Sequence, residues 1–319
     1  WLDGSNERAL HRLELWRHVR LSTVAPLVCV EAAGRNFWLV YSRPAAPAFV
    51  ALPSLVDVLR RMPPERNPAK GAAGRRLLRR ASPLPPPSPL SKRAARRALQ
   101  TMVHVAAALA FMHHSPLGTL LHSDLRAAHI LVDVAAAHRV QLTGLAHIVL
   151  LGGLGVSDEV PAEWIPGCCL RADGGALPRE ASAHSPECDM CTPVGAASDV
   201  YQLALRLVEF AAALSDPSFR PPLQLTLASH FEGGVWGGEA RAVLPLLPRG
   251  IDTTFPGLRA IFARCLDVVP ARRPKAVQLV ALLRAQLKPP RAANSTARGN
   301  ATRGTTWGAT RGATQQSSS

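Results

Sequence analysis

Apolar and polar positions follow two different periods along this chain, and the changes of period predict its elements. Residues 7–20 place Leu10, Leu13 and Trp16 at helical spacing. Residues 24–32 and 35–41 are rich in β-formers and are separated by Gly34, which predicts a hairpin of two buried strands. Residues 55–61 read as a short helix, and residues 94–114 as a long apolar helix ending before Ser115-Pro116. Two short strands follow, around 129–132 and 140–142. The stretch 152–193 is irregular and rich in Gly and Pro. Residues 197–214 are the clearest buried helix, and 255–266 and 275–287 are two more. Strands mixed with helices, then a mostly helical half, predict an α+β chain in two lobes.

Charge changes the picture of the connecting segments. The chain has 319 residues and a formal charge of +15, with 47% hydrophobic residues, enough for a real core. Residues 60–97 hold 12 basic residues against one acid, Glu65, and residues 284–319 hold 6 basic residues and no acid. The remainder, with 19 basic and 21 acidic residues, is near neutral. The first basic segment contains Pro63-Pro64 and the run Pro83-Leu84-Pro85-Pro86-Pro87-Ser88-Pro89, which favours extended polyproline geometry. The second repeats Ala-Thr-Arg-Gly-like units and has no apolar period, so residues 289–319 are expected to form a disordered basic tail. No window approaches the ~18 consecutive apolar residues of a membrane span. Six cysteines are too few for a disulfide scaffold and point to a reducing compartment. The chain begins at Trp1 and reads as a fragment, so an N-terminal address cannot be judged.

The most specific segment is Leu121-His122-Ser123-Asp124-Leu125-Arg126-Ala127-Ala128-His129-Ile130-Leu131-Val132-Asp133. It resembles the catalytic loop of protein kinases, H-R-D-L-x-x-x-N, in its tyrosine-kinase version. Other segments fall in the order that family requires. Phe37-Trp38-Leu39-Val40-Tyr41 looks like the strand entering the hinge, with Ser42-Arg43-Pro44 as hinge. Ser185-Pro186-Glu187 resembles the A-P-E end of the activation segment. Ser198-Asp199-Val200-Tyr201 looks like the start of the central helix of the large lobe. Cys265-Leu266-Asp267 and Arg272-Arg273-Pro274 resemble the closing motif, whose Arg pairs with the A-P-E Glu.

The resemblance implies a kinase-like domain over residues 1–288: a truncated small β lobe over 1–42, a basic proline-rich insert over 62–93 and a mainly helical large lobe over 94–288. It places Asp124 as the catalytic base and Arg126 near the transferred phosphoryl group. Tyr41 falls at the gatekeeper position, and with Ser42, His129 and Gly144 it would border a nucleotide.

Several parts of the kinase pattern are replaced. His129 stands where the Mg²⁺-binding Asn is expected, and imidazole is a poor ligand for that hard cation. Val140-Gln141-Leu142-Thr143-Gly144-Leu145-Ala146 aligns with V-K-L-T-D-F-G and puts Gly144 in the place of the metal-binding Asp. A gapped alternative keeps Gly144 as the final Gly, and neither supplies a carboxylate, because no Asp or Glu lies between Asp133 and Asp158. The first lysine is Lys70, and the Gly-rich phosphate loop and strand Lys of the pattern would fall upstream of Trp1, so only the internal replacements at His129 and Gly144 count against catalysis. The helix Glu is ambiguous between alignments that offer Glu14 and Arg12. Ser123 replaces the Arg that would read a phosphorylated activation loop. The resemblance therefore implies a kinase fold with impaired catalysis, a pseudokinase acting as scaffold or allosteric partner in signalling. ATP stays open as a ligand, and Mg²⁺ is poorly provided for. The alternative is an active divergent kinase that uses Asp158 or Glu159 in place of the lost metal ligand.

The remaining patterns have bland readings beside sharper ones. Cys168-Cys169, Cys188-x-x-Cys191 and His184 carry soft ligands suited to zinc, but free cysteines are the simpler account. Gly152-Gly153-Leu154-Gly155 lacks the Lys-Ser/Thr of a P-loop. Arg79-Arg80-Ala81-Ser82-Pro83 resembles a basophilic-kinase substrate, and Arg80-x-x-Pro83-x-x-Pro86 an SH3 ligand, so an SH3-bearing partner is one expectation for the insert. Asn294 and Asn300 head sequons that matter only in a secreted chain. Nucleic acid is disfavoured, because the insert has no aromatic residue and the tail only Trp307. A cytoplasmic location follows from the kinase-like body and the sparse cysteines.

Overall fold

A computed structural model describes residues 24, 27–33, 36–41, 49–62, 90–115, 118–135, 139–144, 149–151, 185–189, 193–219 and 250–288. The chain divides into two units, Trp1–Leu287 and Lys288–Ser319, and all described residues but Lys288 belong to the first. The predicted helix over 7–20, most of the basic insert, the irregular stretch up to 184 and the tail lie outside the described residues.

The architecture is α+β, with small antiparallel sheets and a largely helical remainder. Strands β1 (Leu27–Ala33) and β2 (Asn36–Tyr41) form the predicted hairpin, with a bulge between Leu27 and Cys29. β3 (Phe49–Ala51) runs directly into α1 (Leu52–Arg60). α1 buries Leu52, Leu55, Val56 and Leu59, the i, i+3, i+4, i+7 stripe of an amphipathic helix, and Pro53 sits in its first turn, where a missing N–H costs nothing. The sequence pattern predicted this helix from residue 55; the apolar stripe and Pro53 place its start three residues earlier.

α2 (Lys92–His113) is the long apolar helix, and the Ser91 hydroxyl caps it by accepting from the Ala94 N–H at 3.2 Å. β4 (Thr119–Leu121) leads into the loop that carries Asp124, and β5 (Ile130–Asp133) and β6 (Val140–Leu142) follow. β3, β5 and β6 form a three-stranded antiparallel sheet, in which Val50 faces Val132 and Ile130 faces Leu142. β4 pairs with β7 (Val149–Leu151), so the Asp124 loop is anchored by a strand at each of its ends.

α3 (Pro186–Asp189) is a single turn. α4 (Ala196–Ser215) is buried on all faces and forms the centre of the core. α5 (Gly250–Thr254), α6 (Leu258–Cys265) and α7 (Ala276–Leu287) complete the bundle, with α7 packed along α2. The sequence predicted one helix over 255–266. Pro256-Gly257 interrupts it, and Gly257 takes φ +83°, a left-handed conformation that sets the start of α6. A side chain at Gly257 would approach the Gln286 Oε1 on α7 to 2.9 Å, so the break also allows α7 to pack close. Among the described residues no helix is long and apolar enough to cross a membrane.

Candidate functional site

The loop between β4 and β5 is fixed by α4 beneath it. The Asp199 carboxylate accepts the backbone N–H of His122 at 2.8 Å on one oxygen and that of Ser123 at 2.9 Å on the other. His113 Nε2 lies 3.0 Å from the first of these oxygens. Gln202 Oε1 accepts the N–H of Leu125 at 3.0 Å. Successive N–H groups aimed at one carboxylate demand a sharp turn, and Ser123 takes φ +65° to make it. These bonds hold Asp124 at the mouth of the loop with its side chain 11% exposed.

The Asp124 carboxylate faces two cationic or potentially cationic groups. Arg126 Nε donates to its Oδ1 at 2.7 Å, and His129 Nδ1 lies 3.7 Å from its Oδ2. The His129 ring is held more tightly by the backbone, 2.9 Å from the carbonyl of Asp124. A carbonyl only accepts, so Nδ1 carries a proton. His122, stacked 6.3 Å from His129, carries its proton on Nε2 instead. Its Nε2–H donates to the Thr143 carbonyl at 2.9 Å, and its Nδ1 accepts the Asp124 N–H at 3.4 Å. Burial drives the His122 pKa down to about 4, against the opposing pull of Asp199, so this ring is neutral and structural.

Gly144 follows β6 and takes φ +74°. A Cβ placed there would stand 2.4 Å from His129 Nδ1, so the imidazole fills the space that any side chain at position 144 would use. The Thr143 N–H donates to the His129 carbonyl at 2.8 Å and locks the two positions together. This donor set does not fit Mg²⁺. The hard cation takes oxygen ligands, whereas position 129 offers a ring nitrogen and position 144 has no side chain. Among the described residues no group of three His, Cys, Asp or Glu side chains could hold a metal ion.

A second polar centre ties the segment around Glu187 to the core. Arg273 Nη1 and Nη2 grip the two Glu187 oxygens at 2.5 and 2.9 Å. Arg273 also donates to the carbonyls of Ala197, Val268 and Asp267, and its guanidinium lies 4.8 Å from the Tyr201 ring centroid. The Ser198 hydroxyl adds a bond to Glu187 at 3.0 Å. Of the two neighbouring arginines in the sequence motif, Arg273 is buried and makes the pair, and Arg272 is exposed.

The sequence-derived residues are thus brought together unevenly. Asp124, Arg126, His129 and Gly144 converge within one loop pair. Tyr41 ends β2 but its side chain lies outside the described residues, as do Ser42, Asp158, Glu159, Cys168, Cys169, His184 and Cys191. The Cys188 side chain in α3 is outside them too. Sequence reasoning placed Asp199 at the start of a helix without giving it a role. The available signal was an acid inside a continuously apolar segment, which is buried only when paired. The same signal marks Arg206 and Glu209, about two and three turns further along α4. No family model and no curated protein matches the chain.

Proposed function

We propose that this chain is a protein-kinase-like, two-lobed module with impaired phosphoryl transfer, a pseudokinase that works as a scaffold or allosteric partner. The observation that carries this reading is the division between the two halves of the Asp124 site. The half that holds a base is complete: Asp124 is fixed through Asp199 and Gln202 and paired with Arg126. The half that would carry the metal lacks a carboxylate, and His129 fills the place beside Gly144. Phosphoryl transfer is largely charge neutralisation around the moving group, and much of that charge comes from metal ions. A base with no metal partner has little to act on. The ion pair of Glu187 with Arg273, expected from the resemblance, adds support at a second position.

The competing reading is an active divergent kinase passing the ATP γ-phosphoryl group to Ser, Thr or Tyr. The observation in its favour is Asp124 itself, partly exposed and held by a cation at 2.7 Å. Thermal unfolding of the chain with ATP, with and without Mg²⁺, separates the two. Ligand at 100 times its Kd adds ~2.7 kcal/mol of stability, so binding would be easily seen. The pseudokinase reading expects no Mg²⁺-dependent stabilisation of the native chain. It also expects none in Gly144→Asp, where His129 blocks the new carboxylate, and a gain only in the double variant Gly144→Asp/His129→Asn. Mg²⁺-dependent stabilisation of the native chain, together with phosphate transfer lost in Asp124→Ala, would overturn it.

A further inference from the structure

We propose that the cavity between α1 and α4 is a binding site for a compact aliphatic carboxylate, gripped by the free edge of the Arg206 guanidinium. The proposal is independent of the kinase reading, because it concerns a different cavity and different residues. The cavity has a volume of about 190 Å³ and is walled by Leu52, Val56, Phe210 and Phe219, with Arg206 and Glu209 as polar members.

Arg206 is 6% exposed, so its charge is almost wholly removed from water. Its Nη1 donates to Glu209 Oε2 at 2.7 Å, while Nε and Nη2 have no partner. These two unpartnered nitrogens are neighbours on one edge of the guanidinium. Their N–H bonds run parallel, the fork that matches the paired oxygens of a carboxylate. A buried cation with two of its three nitrogens unpartnered is costly to maintain unless something satisfies them. Burial pulls the Arg206 pKa down, with Glu209 and Asp124 opposing that pull.

Charge, shape and polarity define the ligand. Asp57 and Arg60 also line the cavity, and with the Arg206–Glu209 pair they leave it near neutral. A doubly charged phosphate would meet Asp57 and Glu209, whereas a monoanion adds the least repulsion. At ~30 Å³ for each water-sized group, the volume suits about six non-hydrogen atoms, the size of butanoate. Both free nitrogens are closed off in this structure, so the proposal requires the Arg206 side chain to turn its free edge into the cavity when the carboxylate enters. A free short-chain acid and a Glu side chain on a peptide backbone present the same chemistry.

The test is ligand-observed NMR and thermal unfolding of the full chain with sodium butanoate at matched ionic strength. Butyramide, with the same outline and no charge, is the control, and N-acetyl-glutamate N-methylamide is the peptide-borne arm. We expect saturable binding of a carboxylate, weaker by about tenfold or more for the amide. Tighter binding of butanoate identifies a free acid as the source, and tighter binding of the glutamate compound identifies a peptide. Arg206→Lys keeps the charge and removes the fork, and Val56→Phe fills the cavity away from the ion pair. Both variants should lose the response. Equal binding of butanoate and butyramide by the native chain, or no binding of either carboxylate, would overturn the proposal without reference to any variant. Retention of carboxylate binding in a folded Arg206→Lys chain would overturn it as well.

Discussion

Arg273 and Arg206 are both buried, both pair with a glutamate and both meet helix α4, yet their surroundings differ in completeness. Arg273 engages Glu187 with two nitrogens and donates to three backbone carbonyls, so each of its three nitrogens has a partner. Arg206 makes one bond, to Glu209, and leaves two nitrogens unpartnered. The first end of α4 is saturated throughout. Asp199 takes two backbone N–H groups and His113, and Gln202 takes a third N–H. One turn further the saturation stops. Burial alone therefore does not tell a structural cation from a binding one, and the accounting of partners does.

The largest effect is expected where the accounting is complete. Glu187→Gln leaves the Arg273 charge buried without its counter-ion, and breaking a buried pair in this way costs ~3–5 kcal/mol. Domain stabilities are ~5–15 kcal/mol, so the variant should be only marginally stable. Urea unfolding midpoints of the two chains measure the loss. A loss under ~1 kcal/mol would show that the pair is as expendable as an exposed one.

The contrast also explains what the sequence made legible. The helices α1, α2, α4 and α7 were readable in outline, because apolar residues recurring at successive turns need no partner to be recognised. The hairpin over β1 and β2 was readable from its β-formers and Gly34. Of the four three-residue strands only β6 was readable and β3, β4 and β7 were not, since three residues carry too little of a period to stand out. The site was half legible. Asp124, Arg126 and the substitutions at His129 and Gly144 stood out against the kinase pattern. The meeting of Gly144 and the His129 ring depends on a loop closing across 15 positions, and no local signal marks it. Arg206 stood out only as a charge inside an apolar segment; its meaning lies in which of its nitrogens lack partners, and no local signal marks that.

A second test probes the saturated end through proton uptake. His122 is neutral because its donor and acceptor are both used, and burial brings its pKa to about 4 from 6.5. The unfolded chain therefore binds this proton first as pH falls. The contribution of His122 is full above pH ~6.5 and is lost progressively down to pH ~4, with a slope of up to ~1.4 kcal/mol per unit and about 3 kcal/mol in all. Urea midpoints at about pH 7 and about pH 5 should differ in the native chain, and the difference should shrink in His122→Phe. An unchanged difference in that variant would assign the acid sensitivity to other groups.

The smallest effect belongs to the unsaturated arginine, and it is the sharpest test of the comparison. Replacing a buried ion pair by apolar side chains of similar volume is often neutral or stabilising. Arg206→Met/Glu209→Leu removes a cation with two unsatisfied nitrogens and its single partner, so the double variant should stay within ~1 kcal/mol of the native chain or exceed it. The same exchange at the other site, Arg273→Met/Glu187→Leu, cannot be neutral. It strips a donor from the carbonyls of Ala197, Val268 and Asp267 and from the Ser198 hydroxyl its acceptor. Each orphaned polar group costs ~1–3 kcal/mol when it stays buried. Denaturant unfolding of the two double variants side by side reads the difference directly. If both lose stability equally, partner accounting does not separate these arginines; if only the Arg273 pair does, the Arg206 pair is dispensable to the fold.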